Sequence, residues 1–169
     1  MTQDPVQLWK AMTPEKRALA AEAFWAERDG LEQQLEAMAL IARHHNFRVK
    51  FVQALPREKK VRYLVGLPAI PDALAARLLV SYHLAHQRPM LGAFLDALGV
   101  AHEDGLIAED PEGPIPAERL TQAADTLQQT FPPDDVALYF ATLMTQDPET
   151  WGALAELKFG ATTAERFQP

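Results

Sequence analysis

The sequence contains no cysteine and a single serine, Ser81. Without cysteine there are no disulfide bonds, thiolate zinc sites or cysteine nucleophiles, and a reducing compartment is favoured. Ser81 lies within a helical pattern and lacks the strand-to-helix turn of a serine hydrolase, so serine-based hydrolysis is not indicated. The eight glycines are scattered and form neither a dinucleotide-binding nor a triphosphate-binding loop. These absences remove several common enzyme classes.

Long apolar segments are missing as well. No run approaches the roughly 20 residues that a membrane-spanning helix requires. Met1–Pro5 shows neither the basic nor the apolar region of a secretory signal. We therefore expect a cytoplasmic protein that does not enter a membrane. Its 169 residues, 48% of them hydrophobic and 23% charged, are enough for one globular domain with a single core.

Proline marks the expected helix starts. It is tolerated in the first helical turn because its missing N–H would have no partner there. Eight prolines begin or precede segments with helical periodicity: Pro5, Pro14, Pro56, Pro71, Pro89, Pro116, Pro133 and Pro148. Apolar residues three and four apart give the predicted helices one apolar face, as in the stripe of Leu31, Leu35, Met38 and Ala42. This pattern is typical of an all-α protein.

We predict a single compact domain of about eight short, mostly proline-initiated helices over residues 1–160, followed by a frayed tail at residues 161–169. Similar proline-initiated segments recur 42 and 45 residues apart, so a solenoid-like packing of helical hairpins stays open. Strand-forming residues at 47–52 and 61–66 also allow a β-hairpin. We favour helices there, because the apolar residues step by three and four and a lone hairpin would lack a third strand.

Charge is distributed unevenly along the chain. The formal charge of −7 is the balance of −3 over residues 1–42, +7 over residues 43–95 and −11 over residues 96–169. Such segregation indicates a surface that meets a charged partner. Residues 99–115 form the longest break in the helical pattern and separate the basic block from the acidic part.

The basic segment 43–62 is the main candidate binding site. Its cations are Arg43, Arg48, Lys50, Arg57, Lys59, Lys60 and Arg62. Phe47, Phe51 and Tyr63 are interleaved with them, and cations beside aromatic rings contact phosphates and stack on bases. Two simpler interpretations compete. The rings belong to the core while the cations face solvent, or the acidic part neutralises the cations within the fold or across a dimer.

Three histidines are candidates for metal ligands. His83 and His86 are three residues apart on one predicted helix, and His102 follows in an acidic loop. Two imidazoles with a carboxylate suit zinc or iron. The simpler interpretation places His86 in the core and His83 at the helix end as a cap. The fuller HExxH and ExxH signatures are absent, and we predict no metal or cofactor.

Three functions follow from these features. The preferred hypothesis is a non-enzymatic protein–protein interaction or regulatory module with charge-segregated faces, which binds a protein partner or forms a homodimer. The alternative is nucleic-acid or phosphate binding through residues 43–62. The second alternative is a metal-dependent enzyme using His83, His86 and His102. For the preferred hypothesis, Trp25 on its alanine-rich helix is predicted to be an exposed interface anchor.

Overall fold

Prolines and capping side chains begin the helices where the sequence predicts. In this computed structural model, which describes residues 4–157, proline occupies the first turn of five helices. Thr13 Oγ1 accepts a hydrogen bond from the Lys16 N–H (3.2 Å) and satisfies a donor that the first helical turn leaves unpaired. The all-α prediction is confirmed. The tail predicted to be frayed, residues 161–169, lies outside the described residues.

Ten α-helices and one short hairpin make up the described part of the chain. The helices are α1 (Pro5–Ala11), α2 (Pro14–Ala26), α3 (Leu31–His45), α4 (Val49–Ala54), α5 (Arg57–Val65), α6 (Asp72–His86), α7 (Arg88–Leu98), α8 (Ala117–Thr130), α9 (Pro133–Gln146) and α10 (Pro148–Trp151). A 3₁₀ turn, Gly152–Glu156, follows α10. Short helices such as α4 and α10 bring the number above the predicted eight. Across residues 4–157, no helix has both the length and the apolar character that crossing a bilayer demands.

Residues 47–66 contain the two helices α4 and α5 and no strand, so the choice between helices and a hairpin is settled in favour of helices. Pro56 directly precedes α5, as the proline pattern predicts. Val52 of α4 and Leu64 of α5 are fully buried in the same apolar cluster. The helices are stabilised by burying these side chains in the cluster, whereas an isolated two-stranded hairpin would have no further strand to pack against.

A small hairpin that the helical periodicity did not predict lies between α7 and α8. Its strands are β1 (His102–Glu103) and β2 (Leu106–Ile107), paired antiparallel. The turn residues Asp104 and Gly105 have φ angles of 51° and 92°, which the Asp-Gly pair favours in two-residue hairpin turns. A Cβ atom at Gly105 would lie 2.8 Å from Leu91 Cβ, so the hairpin packs closely on α7. The Asp104-Gly105 dipeptide is the sequence feature from which this hairpin could have been predicted.

Two clusters of buried apolar side chains are joined by α6 and α9. Leu78 and Tyr82 of α6 belong to the first cluster, while Leu84 packs against the second. Leu138 of α9 belongs to the first cluster, and Phe140 belongs to the second. α1 packs against both joining helices, which brings distant parts of the chain together. This favours a compact bundle over the solenoid-like alternative, in which each repeat contacts its neighbours.

The buried face of α3 differs from the predicted stripe. Met38 and Ala42 of that stripe are buried, but Leu31 and Leu35 are 65% and 52% exposed. Gln34 and Ile41 lie on the buried face beside Met38 and Ala42. Gln34 Nε2 donates hydrogen bonds to two carbonyl oxygens at the end of α2, each at 2.9 Å. The Phe24 oxygen also accepts a backbone hydrogen bond from the Glu27 N–H at 3.3 Å. Gln34 adds a second donor to this oxygen and supplies one to the Glu27 oxygen, because the last turn of a helix leaves acceptors without intrahelical partners. A polar side chain thus lies on the core side, which apolar spacing does not reveal.

Alanine substitutions at Ile41 and Leu35 should therefore affect stability very differently. Ile41 is fully buried, so Ile41→Ala leaves a cavity and we expect a loss of about 2–5 kcal/mol in the free energy of unfolding. Leu35 is mostly exposed, and we expect Leu35→Ala to change it by less than about 0.5 kcal/mol. Urea unfolding measures both values. Equal losses would contradict the buried face described for α3.

Candidate functional site

A cluster of four rings forms where α3, α4 and α5 meet. Asn46, in the left-handed conformation (φ 57°), ends α3 and turns the chain toward α4. His45 stacks on Phe47 with 5.3 Å between ring centroids, and Phe47 meets Phe51 edge-on at 4.9 Å. The Tyr63 ring lies 4.7 Å from that of His45. Phe51 is 51% exposed, so the cluster belongs to the surface as well as to the core.

Six of the seven cations from the basic segment are exposed on the same three helices and the residues that join them. They are Arg43, Arg48, Lys50, Arg57, Lys59 and Arg62. We call these six cations and the four rings the basic–aromatic surface. The sequence analysis did not include His45 in this surface. The signal that could have indicated it is Asn46, which tolerates the left-handed conformation that ends α3 directly after His45. The seventh cation, Lys60, is half-buried.

The acidic part of the chain makes no ion pair with this surface in residues 4–157. There, the only ion pair of the six cations joins Arg62 to Glu58 at 4.0 Å. Both partners are exposed, and such pairs stabilise a protein by about 0–1 kcal/mol at most. The acidic part instead contacts cations elsewhere, as in the 2.9 Å pair of Lys16 with Asp135. Within residues 4–157, the acidic part of the chain therefore does not neutralise these six cations through ion pairs.

Trp25 is not the exposed anchor that the sequence predicts. It is 7% exposed, and its ring meets Phe24 edge-on at 5.0 Å. Lys60 Nζ lies 5.7 Å from the centre of the Trp25 ring and covers it. Because α2 packs against both α5 and α6, two adjacent aromatic residues on it are buried at once. Trp25 and Lys60 thus pack within the fold and are not part of the basic–aromatic surface.

The three candidate histidines do not form a metal site. His83 is buried against Tyr139, with 5.6 Å between ring centroids, and His86 is exposed. His102 Nε2 instead lies 2.6 Å from the Asp96 carboxylate. Among the described residues, no three His, Asp or Glu side chains are placed to hold a metal ion. The interpretation with His86 in the core and His83 as a cap was wrong. His83 lies in the last turn of α6, but its side chain is buried, because a second face of α6 packs against α9.

His83 is held neutral in the interior. Its Nδ1 lies 2.8 Å from the Leu79 carbonyl oxygen and donates a hydrogen bond to it, so Nε2 carries the lone pair. Burial lowers the pKa of His83 to about 4, while the Leu79 carbonyl and the Asp135 charge act in the opposite direction. Burial also raises the pKa of Tyr139 well above its ordinary value. The side chains of His83 and Tyr139, which meet between α6 and α9, are therefore uncharged near neutral pH.

Stability should fall as the pH drops from 6.5 toward 4. In this range the unfolded chain binds a proton at His83, whereas the folded protein does not, so unfolding is favoured. Each pH unit inside this window costs about 1.4 kcal/mol, and we expect about 2 kcal/mol between pH 7 and pH 5. Urea unfolding of the wild type and of His83→Gln at several pH values measures this contribution as the difference between their slopes.

The control for this measurement is His86→Gln on the same helix. His86 is exposed, so the substitution leaves His83 buried, and the pH dependence of the wild type should persist. Identical pH dependence in His83→Gln and the wild type would show that His83 is not buried as a neutral ring.

The chain matches no protein-family model, and no curated protein or solved structure is significantly similar to it.

Proposed function

We propose that this protein is a non-enzymatic interaction module that binds an acidic, partly apolar segment of a partner protein through the basic–aromatic surface. The supporting observation is that six exposed cations share three helices and their junctions with a half-exposed ring cluster. Within residues 4–157, none of these cations pairs with the acidic C-terminal part. Charges of this kind steer association and select the partner, because opposite potentials attract over several ångströms.

Apolar groups on the same surface supply the contact that charge alone does not. Val49 and Phe51 of α4 are 41% and 51% exposed, and the cation Lys50 lies between them in sequence. Burying such side chains under a partner contributes about 25 cal/mol per Å² of apolar area removed from water. A partner segment that carries both carboxylates and apolar anchors therefore fits this surface better than a purely acidic one.

Single-stranded nucleic acid is the second candidate. Exposed rings next to cations resemble the stacking platforms that bind bases without sequence preference. The net charge of −7, with −11 concentrated in residues 96–169, opposes a long polyanion at a distance. A protein segment with few, locally placed carboxylates is repelled less. For this reason we place nucleic acid second.

A binding assay with two matched probes tests the proposal. The probes are a fluorescent peptide in which glutamates alternate with phenylalanine and leucine, and a fluorescent oligouridine of the same net charge. We expect the peptide to bind more tightly in fluorescence anisotropy, with an affinity that weakens as salt screens the charges. Lys50→Glu/Lys59→Glu should weaken peptide binding about tenfold or more, and Phe51→Ala should weaken it severalfold.

The matched control is Lys10→Glu/Arg28→Glu, which reverses two exposed cations outside the surface. It changes the net charge equally, so it should leave specific binding nearly intact. If both double variants weakened peptide binding equally, the weakening would be explained by the change in net charge alone. That result would contradict a specific binding surface. Tighter binding of oligouridine would replace the proposal by the second candidate, and binding of neither probe at low salt would overturn both.

Sedimentation of the wild type distinguishes a foreign partner from a second copy of the chain. Concentration-dependent association that Lys50→Glu/Lys59→Glu abolishes would identify the acidic part of another copy as the bound segment. A monomer at all concentrations, together with peptide binding, would assign the surface to a different protein.

A further inference from the structure

A pocket of about 190 Å³ lies where α6, α7, α9 and the β1–β2 hairpin meet. Its apolar wall includes Leu84, Leu91, Ile107 and Leu143. The positive φ angle of Gly105 brings the hairpin close against α7, which closes this side of the pocket. The pocket shares no residue with the basic–aromatic surface.

His83 lines the pocket and has a buried polar atom without a partner. It is 3% exposed, and its Nδ1 is engaged by the Leu79 carbonyl oxygen. Its Nε2 has no hydrogen-bond partner among the described residues. Thr142 also lines the pocket, but its hydroxyl already donates to the Leu138 carbonyl oxygen at 2.8 Å. Buried acceptors are nearly always hydrogen-bonded in folded proteins, so the free Nε2 calls for a donor.

The polar residues at the entrance of the pocket limit the kind of ligand that it can bind. Asp110 and Gln146 line the pocket and are both exposed. A carboxylate at the entrance disfavours anions, and the interior offers no cation to hold one. The volume is suited to one small ring, since an apolar cavity of about 150 Å³ accommodates benzene.

We propose that this pocket binds a small, mainly apolar molecule of about the size of one aromatic ring, which donates a single hydroxyl or N–H hydrogen to His83 Nε2. The apolar wall gives the affinity, and the unpartnered acceptor of His83 gives the orientation. Site and ligand are independent of the proposed partner-binding function.

Phenol and toluene are the probes, because they have nearly the same shape and differ in the single donor. NMR titration of ¹⁵N-labelled protein follows the histidine ring nitrogens and the residues around the pocket. We expect phenol to bind about fivefold more tightly than toluene, since a net hydrogen bond contributes that much. Phenol should shift the Nε2 resonance of His83, which accepts the new bond, more than the Nδ1 resonance.

His83→Phe keeps a ring of similar size and removes the acceptor. In this variant the preference for phenol should disappear while toluene still binds, and in the exposed control His86→Gln the preference should remain. Equal affinities of the wild type for phenol and toluene, or binding of neither within their solubility, would overturn the proposal. Because the comparison of phenol with toluene uses the wild type, it tests the proposal even if His83→Phe does not fold.

Discussion

The packing of α6 on two sides is the constraint on which most of the structure depends. One side carries Leu78 and Tyr82 into the first apolar cluster, and the other side faces α9 and the second cluster. When two sides of a helix are buried, polar residues on either side are buried as well. His83 is such a residue, and it is accommodated by donating to the carbonyl oxygen of Leu79 and remaining neutral. The pocket beside it follows from the same packing.

Polar contacts on α6 also determine which cations of the basic block are paired within the fold. Arg77 Nη2 lies 2.6 Å from a Glu27 carboxylate oxygen, and the Ser81 hydroxyl donates to the other oxygen of that carboxylate. Together they fix α6 to the end of α2. Arg77 is thus used within the fold, although it belongs to the basic block of the sequence. The six cations of the basic–aromatic surface have no such ion pair across the fold in residues 4–157, which is why the proposed function rests on them.

Sequence patterns predicted the helices better than the faces that those helices bury. Proline and capping residues act locally, so the starts of α1, α2 and α9 could be predicted from a few neighbouring residues. The buried face of α3 depended on Gln34 binding carbonyls of another helix, which no local pattern contains. The burial of His83 and of Trp25 likewise depended on helices packed on two sides. The charge pattern identified the cations of the candidate surface, and the ring cluster required the turn at Asn46.

The most direct test of the central role of α6 is the protonation state of the His83 ring. Long-range ¹H–¹⁵N NMR spectra of the histidine side chains, recorded from pH 7 to pH 5, report the tautomer and charge of each ring. If α6 is buried on both sides, His83 stays neutral with its proton on Nδ1 throughout this range. If His83 instead gains a proton near pH 6.5, as a solvated imidazole does, the second buried side of α6 is contradicted.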